Sequence, residues 1–365
     1  MVLRYLFLLL ALAAQTIQAE DRPRLRPLTK PSENAKTGPA VGSLIPSFEA
    51  MDQNGAAQTF EKLRGTKGLM LAFSRSADWC PYCKAQLSDI NRQLDRLKKR
   101  GINVASVTYD SPEILKAFAA RKDIRYPMLS DPDSKIIRAF GILNGNIEPG
   151  TRGYGIPFPG IYVVDAKGIV KSKYFEDDYR ERHTAGSIIT HEFGQDGSDS
   201  AGLDQTKIET PQLTLSNWAA DKALAPGAHT TLVVELALKP QMHAYAPGVK
   251  SDYIPVDWIM NDAKTSLALP AKYPAAKDQY FSAMKETVPV YTKQIRIERD
   301  LVIGQQAEIA DSLSPDKTLT VEGVFKYQAC DEKKCFPPRD IPLKWTFQMN
   351  APDTDRVPEA IRKEK

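Results

Sequence analysis

The chain's four cysteines stand in two close pairs, Cys80 with Cys83 and Cys330 with Cys335. Thiol–disulfide exchange needs such a pair: one thiolate attacks a partner's sulfur, and the second resolves the mixed disulfide. The first pair lies in Trp79-Cys80-Pro81-Tyr82-Cys83-Lys84, where an apolar run from Gly68 to Phe73 hands over to helical spacing. Cys80 then precedes a helix N-terminus, whose free N–H groups and dipole can lower a thiol pKa from about 8.5 into the range of roughly 3.5–7.5. Cys83, inside the first turn, is placed to resolve. Trp79, Pro81 and Tyr82 flank the pair as candidate substrate-binding residues. A bridge closing about four residues would contribute only roughly 2 kcal/mol of stability, and zinc would need two further ligands that do not lie close in sequence. Redox chemistry is the reading that uses both sulfurs.

The second pair sits across a hairpin. Phe325 to Cys330 ends one strand, Asp331 to Lys334 is a charged turn, and Cys335-Phe336-Pro337-Pro338 opens the next. Closing about six residues again contributes only about 2 kcal/mol, so stability alone does not explain the placement, although exported β-domains do carry such staples.

The elements that must hold these pairs follow from the patterning. At 365 residues, with 42% hydrophobic and 26% charged, the chain is expected to form two globular domains. Forty-nine basic against forty-five acidic residues leave +4, too little to suggest a nucleic-acid partner. Residues 1–19 read as an export signal cleaved near Ala19: Arg4 precedes an apolar stretch from Leu6 to Ala14, too short to span a bilayer. No stable membrane insertion is expected, and the compartment is an oxidising one, a periplasm. Residues 20–40 are a flexible leader rich in Pro and charge.

From residue 41 to 191 strands and helices alternate. Leu87, Ile90, Leu94 and Leu97 step by three and four along a helix from Cys83 to Arg100, which Gly101 ends before a strand from Ile102 to Tyr109. Residues 192–210, rich in Gly, Ser and Asp, read as a linker. Beyond it the period becomes two, as in Leu232, Val234, Leu236, Leu238 and in Leu343, Trp345, Phe347, Met349. The fold class is an α/β domain followed by an all-β sandwich at 211–350, with a loose tail at 351–365.

The stretches WCPYCKAQL, NVASVTYDSPEILKAFAARKDI, YPMLSDPDSKIIRAFGI and PFPGIYVVDAKGIV resemble the thioredoxin-like superfamily, in its AhpC/TSA-type redoxin branch. That resemblance implies a cis-Pro before the fourth core strand, facing the cysteines, and Pro159 matches it. Aligned on a peroxiredoxin site with Cys83 as peroxidatic residue, the supporting Pro, Thr and Arg positions hold Ser76, Cys80 and Pro159. No acid securely matches the buried carboxylate of thioredoxins; Ser74 and Arg75 fall near its place. YQACDEKKCFPP and KPQMHAYAPG, within 212–349, resemble the N-terminal periplasmic domain of the thiol:disulfide interchange protein DsbD, an immunoglobulin-like module. The likeness implies that Cys335 forms the mixed disulfide and Cys330 resolves it, and that an aromatic cap covers the pair, for which Gln279-Tyr280-Phe281 is the candidate. The best-known members separate these cysteines by five residues; this chain separates them by four.

The expected function is a periplasmic thiol:disulfide oxidoreductase whose CxxC and Cx4C dithiols exchange electrons with each other, a protein client and a redox donor. Two alternatives stand beside it: a thiol-dependent peroxidase recharged by the second dithiol, and a copper- or zinc-binding protein using the thiolates. The eight Met and four His do not cluster around either pair in sequence, and His183, His191 and His229 carry no motif. No metal ligand and no cofactor is assigned. Direction of electron flow and oligomeric state are not encoded.

Overall fold

The computed structural model describes residues 37–151, 153–194, 203–249, 253–261, 263–282 and 285–362. The expected export signal, most of the leader and the middle of the expected linker fall outside the described residues. Among those described, no helix is long and apolar enough to cross a membrane.

The first domain opens with a hairpin, β1 (Glu49–Asp52) and β2 (Ala57–Thr59), and one helical turn, α1 (Phe60–Leu63). Then follow β3 (Gly68–Phe73), α2 (Pro81–Arg92), α3 (Leu94–Lys99), β4 (Ile102–Thr108) and α4 (Pro112–Lys122). The domain closes with β5 (Met128–Ser130), α5 (Lys135–Ala139), β6 (Gly160–Asp165), β7 (Val170–Phe175), β8 (Arg182–His183) and α6 (Ala185–Phe193). One seven-stranded sheet runs β2-β1-β5-β4-β3-β6-β7, with β3, β4 and β5 parallel and β6 antiparallel to β3. Every residue of β3 is buried because both faces are covered. Leu69, Leu71 and Phe73 pack with Val107, Phe140 and Tyr162 on one side. Met70 and Ala72 pack with Leu87, Leu115 and Ile188 on the other. This is the thioredoxin-like α/β arrangement.

The helix expected from Cys83 to Arg100 is broken. Gln93 leaves helical geometry (φ −94°, ψ 1°), and its side chain reaches Asp221 of the second domain and accepts from Arg96.

The C-terminal region is β-rich. It contains β9 (Thr206–Glu209), β10 (Leu213–Ala219), β11 (Ala223–Leu224), β12 (Ala228–Leu238), β13 (His243–Tyr245), β14 (Asp257–Met260) and β15 (Ser266–Ala268). After these come β16 (Lys277–Phe281), β17 (Glu286–Tyr291), β18 (Gln294–Ile303), the short α7 (Gln306–Ile309), β19 (Thr318–Tyr327), β20 (Ala329–Cys330) and β21 (Arg339–Met349). The sheets β15-β18-β12-β10-β9 and β11-β21-β19-β14 share one core, in which Trp258 and Trp345 stack at 5.6 Å. Buried and exposed residues alternate along β21 from Ile341 to Met349, the period-two pattern of a strand with one wet face. A third sheet, β16-β17-β13-β20, carries the second cysteine pair.

Two boundaries differ from expectation. The linker is shorter than 192–210, because α6 continues to Phe193 and β9 occupies 206–209. The tail is not loose: Asp353 pairs with Lys84, Arg121 and Lys122, and Arg356 pairs with Asp78, all of the first domain. These charged residues of the tail have fixed partners.

The domains meet along a seam. β8 pairs in parallel with β12, Arg182 opposite Ala228 and His183 opposite His229. Beside it, Asp221 accepts hydrogen bonds from Thr184 Oγ1 (2.5 Å) and Thr230 Oγ1 (2.8 Å), and Asp89 accepts from the Ala185 N–H (2.7 Å). His191 Nε2 lies 2.8 Å from Asp300, and Ser187 bonds Thr231. Burial, reinforced by Asp89, raises the Asp221 carboxyl to about 7. The folded protein therefore holds a proton here that the unfolded chain releases near pH 4, and folding stability from this group falls as pH rises toward 7. Thermal melts at pH 5 and 7 should show wild-type stability declining between them, and Asp221→Asn should flatten that decline. An unchanged slope in the variant would rule out Asp221 as its source.

Candidate active site

Cys80 is the N-cap of α2 and Pro81 its first residue, where a missing N–H costs nothing. The Cys83 N–H points at Cys80 Sγ over 3.3 Å, and the two cysteines form a disulfide with Cα atoms 5.3 Å apart. Both are inaccessible, Cys80 at 1% and Cys83 at 0% exposure. Of the flanking candidates, Trp79 donates Nε1–H to Tyr109 Oη at 2.8 Å, and Tyr82 meets Tyr179 edge-on at 6.0 Å. Arg75 lies over the Trp79 and Tyr179 rings, at 4.9 and 4.1 Å. Pro81 and Tyr82 also border a cleft between α2 and the second domain, with Leu224 and Pro226 on its far side.

The approach to Cys80 is built on a buried carboxylate that sequence reasoning missed. Asp110 accepts from Ser76 Oγ (2.9 Å), the Ala77 N–H (2.7 Å) and Thr108 Oγ1 (3.0 Å), and burial raises its pKa to about 6. It lies thirty residues beyond Cys80 in sequence. The parallel pairing of β3 with β4, Phe73 opposite Val107, brings it back to the loop. That pairing was legible, but the side chain's direction was not. Ser74 and Arg75, at the place expected for such an acid, are not acids, and Ser74 is fully buried.

Pro159 requires a correction. No peptide among the described residues is cis, so the bond before Pro159 is trans. Backbone bonds from Asn144 N to Ile156 O (2.9 Å) and Phe158 N to Ile142 O (2.7 Å) hold the segment, and trans is the form an X-Pro bond prefers by roughly 0.5–1 kcal/mol. Pro159 is buried just before β6, whose Gly160 pairs with Phe73, so it sits at the end of the sheet from which the cysteine loop departs.

The C-terminal tail straps this loop. Asp78, buried, is held by the Arg356 guanidinium and accepts from the Val357 N–H at 2.9 Å. Lys84, directly after Cys83, is buried and donates to the Asp355 carbonyl at 2.7 Å. Burial lowers the Lys84 pKa, opposed by Asp353.

The second pair has the opposite exposure. Cys330, on β20, is 1% exposed, whereas Cys335, after the turn, is exposed. They are bonded, with Cα atoms 3.9 Å apart. Asp331 caps the turn by accepting from the Lys333 and Lys334 N–H groups, at 2.7 and 2.8 Å. Tyr245 Oη lies 3.8 Å from Cys335 Sγ and stacks on Tyr253 at 4.3 Å. Of the candidate cap residues, Phe281 packs on His243 at 4.7 Å and borders the cluster holding Cys330, while Tyr280 points to solvent. His243 pairs with Cys330 across β13 and β20. The first dithiol thus stands at the start of α2 and the second beside β20, and contacts joining the domains run through β8, α6, Gln93 and the tail.

Residues 41–173 match the model of the AhpC/TSA family. Peroxiredoxin Bcp of Escherichia coli (strain K12) is 27% identical over 145 residues, which is 38% of this chain and 86% of that protein. The chloroplastic peroxiredoxin Q of Triticum aestivum is 30% identical over 147 residues, 40% of this chain and 64% of that protein. A thiol peroxidase of known structure from Chromobacterium violaceum shares 20% identity, covers 45% of this chain and 90% of its own, and has a TM-score of 0.38. The matched region is a thioredoxin-like redoxin domain of the AhpC/TSA kind, and the chain is a thiol oxidoreductase.

Arg356→Ala leaves Asp78 buried without its guanidinium. The loss should lie at the low end of the roughly 3–5 kcal/mol for breaking a buried pair, because Arg356 retains some contact with water. Urea unfolding should report it, and dithiothreitol should reduce the Cys80–Cys83 disulfide faster in the variant. Equal stability and equal reduction rates would show that the tail neither braces nor covers the loop.

Proposed function

We propose that this chain, a thiol oxidoreductase by its redoxin domain, is an exported enzyme that passes electron pairs between a protein client or donor at Cys330/Cys335 and the dithiol Cys80/Cys83. In this reading the β-rich region is an immunoglobulin-like module of the DsbD N-terminal kind, and residues 1–19 direct the chain to the periplasm. The observation that carries it is the contrast between exposed Cys335 and buried Cys330 on one hairpin. An outside thiolate can reach only the exposed sulfur of that disulfide, so Cys335 forms the mixed disulfide and Cys330 leaves as thiolate, later resolving it. At the other pair Cys80 attacks or is attacked, and Cys83 closes the ring. Each full exchange moves two electrons and two protons, oxidising one dithiol and reducing one disulfide.

Burial of Cys80 and Cys83 gives the relay a gate. Exchange with Cys335 needs the tail and the Tyr82–Tyr179 contact to move. Trapping tests the assignment: Cys330→Ser should accumulate mixed disulfides through Cys335, and Cys335→Ser should accumulate fewer. The Cys330→Ser/Cys335→Ser double variant, with Cys80–Cys83 oxidised, should fail to be reduced by the captured donor. Wild-type turnover in the double variant would remove the second domain from the relay.

A second reading, peroxidase activity, is favoured by the peroxiredoxin relatives. Against it stand Ser76, Cys80 and Pro159 at the positions where a peroxiredoxin places its supporting residues. The loss of one preorganised donor to a developing oxyanion costs about 10²–10³ in rate. Stopped-flow oxidation of the reduced protein by hydrogen peroxide should accordingly run at least a hundredfold below a dedicated peroxiredoxin measured alongside. Comparable rates would make peroxide the substrate.

A further inference from the structure

Three strands deliver one donor side chain each to the seam between the domains. Glu176 follows the last residue of β7, His183 ends β8, and His229 lies on β12 directly opposite His183. Glu176 Oε1 is 2.7 Å from His183 Nε2 and 3.6 Å from His229 Nδ1, and one donor atom from each residue lies within 4.8 Å of the other two. We propose that Glu176, His183 and His229 bind one divalent transition-metal ion of the zinc class, clamping the redoxin domain to the β-rich region.

The chemistry of the donor set fits. Two neutral imidazoles and one carboxylate suit zinc and its neighbours, and three protein ligands leave a fourth tetrahedral position for water. Zinc bonds of about 2.0–2.2 Å put tetrahedral donor atoms about 3.3–3.5 Å apart, so the carboxylate must draw back from His183 by less than about 1 Å, and a pair of donor atoms now at the 4.8 Å limit must close by about 1.4 Å. His229 is already oriented as a ligand: its far nitrogen, Nε2, lies 2.9 Å from Glu181 Oε2. A carboxylate behind a ligating histidine fixes the tautomer that turns the other nitrogen's lone pair to the metal. With Nδ1 protonated, the His183 Nε2 lone pair faces the Glu176 carboxylate, and a cation between the two turns that repulsion into ligation. Arg182, the adjacent cation, donates to the Glu181 carbonyl at 2.6 Å and acts on Glu176 through its charge, which keeps that carboxylate ionised for a metal. All three ligands stand on or beside paired strands, so their backbone is fixed before metal arrives.

This inference does not rest on the electron relay, and its test keeps both disulfides oxidised so that no thiolate can bind. The tag-free, chelator-stripped full chain is titrated with Zn²⁺ by calorimetry and with Co²⁺ by visible absorption. The expected results are one equivalent per chain, tetrahedral cobalt bands without sulfur charge transfer, weakening of binding as pH drops through the imidazole range, and a zinc-dependent rise in melting temperature. His183→Ala, His229→Ala and Glu176→Gln should each weaken binding at least tenfold and abolish the rise, while His243→Ala should leave both unchanged. No stoichiometric binding to the wild type, or binding that survives these substitutions, overturns the site. Should a variant fail to fold, the imidazole ¹⁵N shifts of the wild type decide: zinc-dependent shifts at both His183 and His229 support the site, and unchanged shifts overturn it.

Discussion

Two residues of strand, Arg182 and His183, determine how the rest of the molecule is arranged. By sequence they belong to the redoxin domain, and by pairing they belong to the central sheet of the β-rich region. The Arg182 N–H donates to Gly227 O and the Thr184 N–H to His229 O, so the seam is sealed by backbone as well as side chains. Once that pairing is made, α6 must lie along β12, Asp221 must be buried against Asp89, and the domains cannot tumble independently. Burying two carboxylates close together is costly unless their lone pairs are met, which Thr184, Thr230 and the Ala185 N–H do.

A fixed seam changes what the fusion can do. A flexible tether would let the dithiols meet by diffusion, at an effective concentration set by linker length. Here the tail returns to the redoxin domain and closes over the dithiol loop through Asp78 and Lys84. Access to Cys80 is then limited by local opening, whose free energy depends on a few buried ion pairs and hydrogen bonds. Cys335, exposed after the turn that follows the two-residue edge strand β20, needs no such opening. The asymmetry suits an enzyme that keeps one dithiol from indiscriminate exchange while offering the other to partners.

The Lys84 ammonium and the Arg75 and Arg182 guanidiniums set the electrostatics of the loop. Burial lowers the pKa of all three, and buried nitrogens of Arg75 and Arg182 lack hydrogen-bond partners. Cys80 stands at the N-terminus of α2, where free N–H groups of the helix favour a thiolate once the disulfide is reduced. Asp110, holding Ser76 and Ala77, supplies the loop with a carboxyl that titrates close to neutrality.

What the sequence determined by itself is local. Cys80 at a helix start after a strand, the hairpin spacing of Cys330 and Cys335, and the change of period between the halves all depend on residues a few positions apart. The redoxin resemblance likewise rests on short stretches whose neighbours repeat their own periodicity. Tertiary structure alone decided which sulfur is exposed, that Asp110 returns to the cysteine loop, that Arg356 finds Asp78, and that Glu176, His183 and His229 converge. These partners stand tens to hundreds of residues apart, and no periodicity records them. The same holds for the tail, whose residues pair with Lys84 and Asp78, both buried beside the cysteine loop. Spacing encodes which face a residue occupies, whereas packing between elements decides what that face meets.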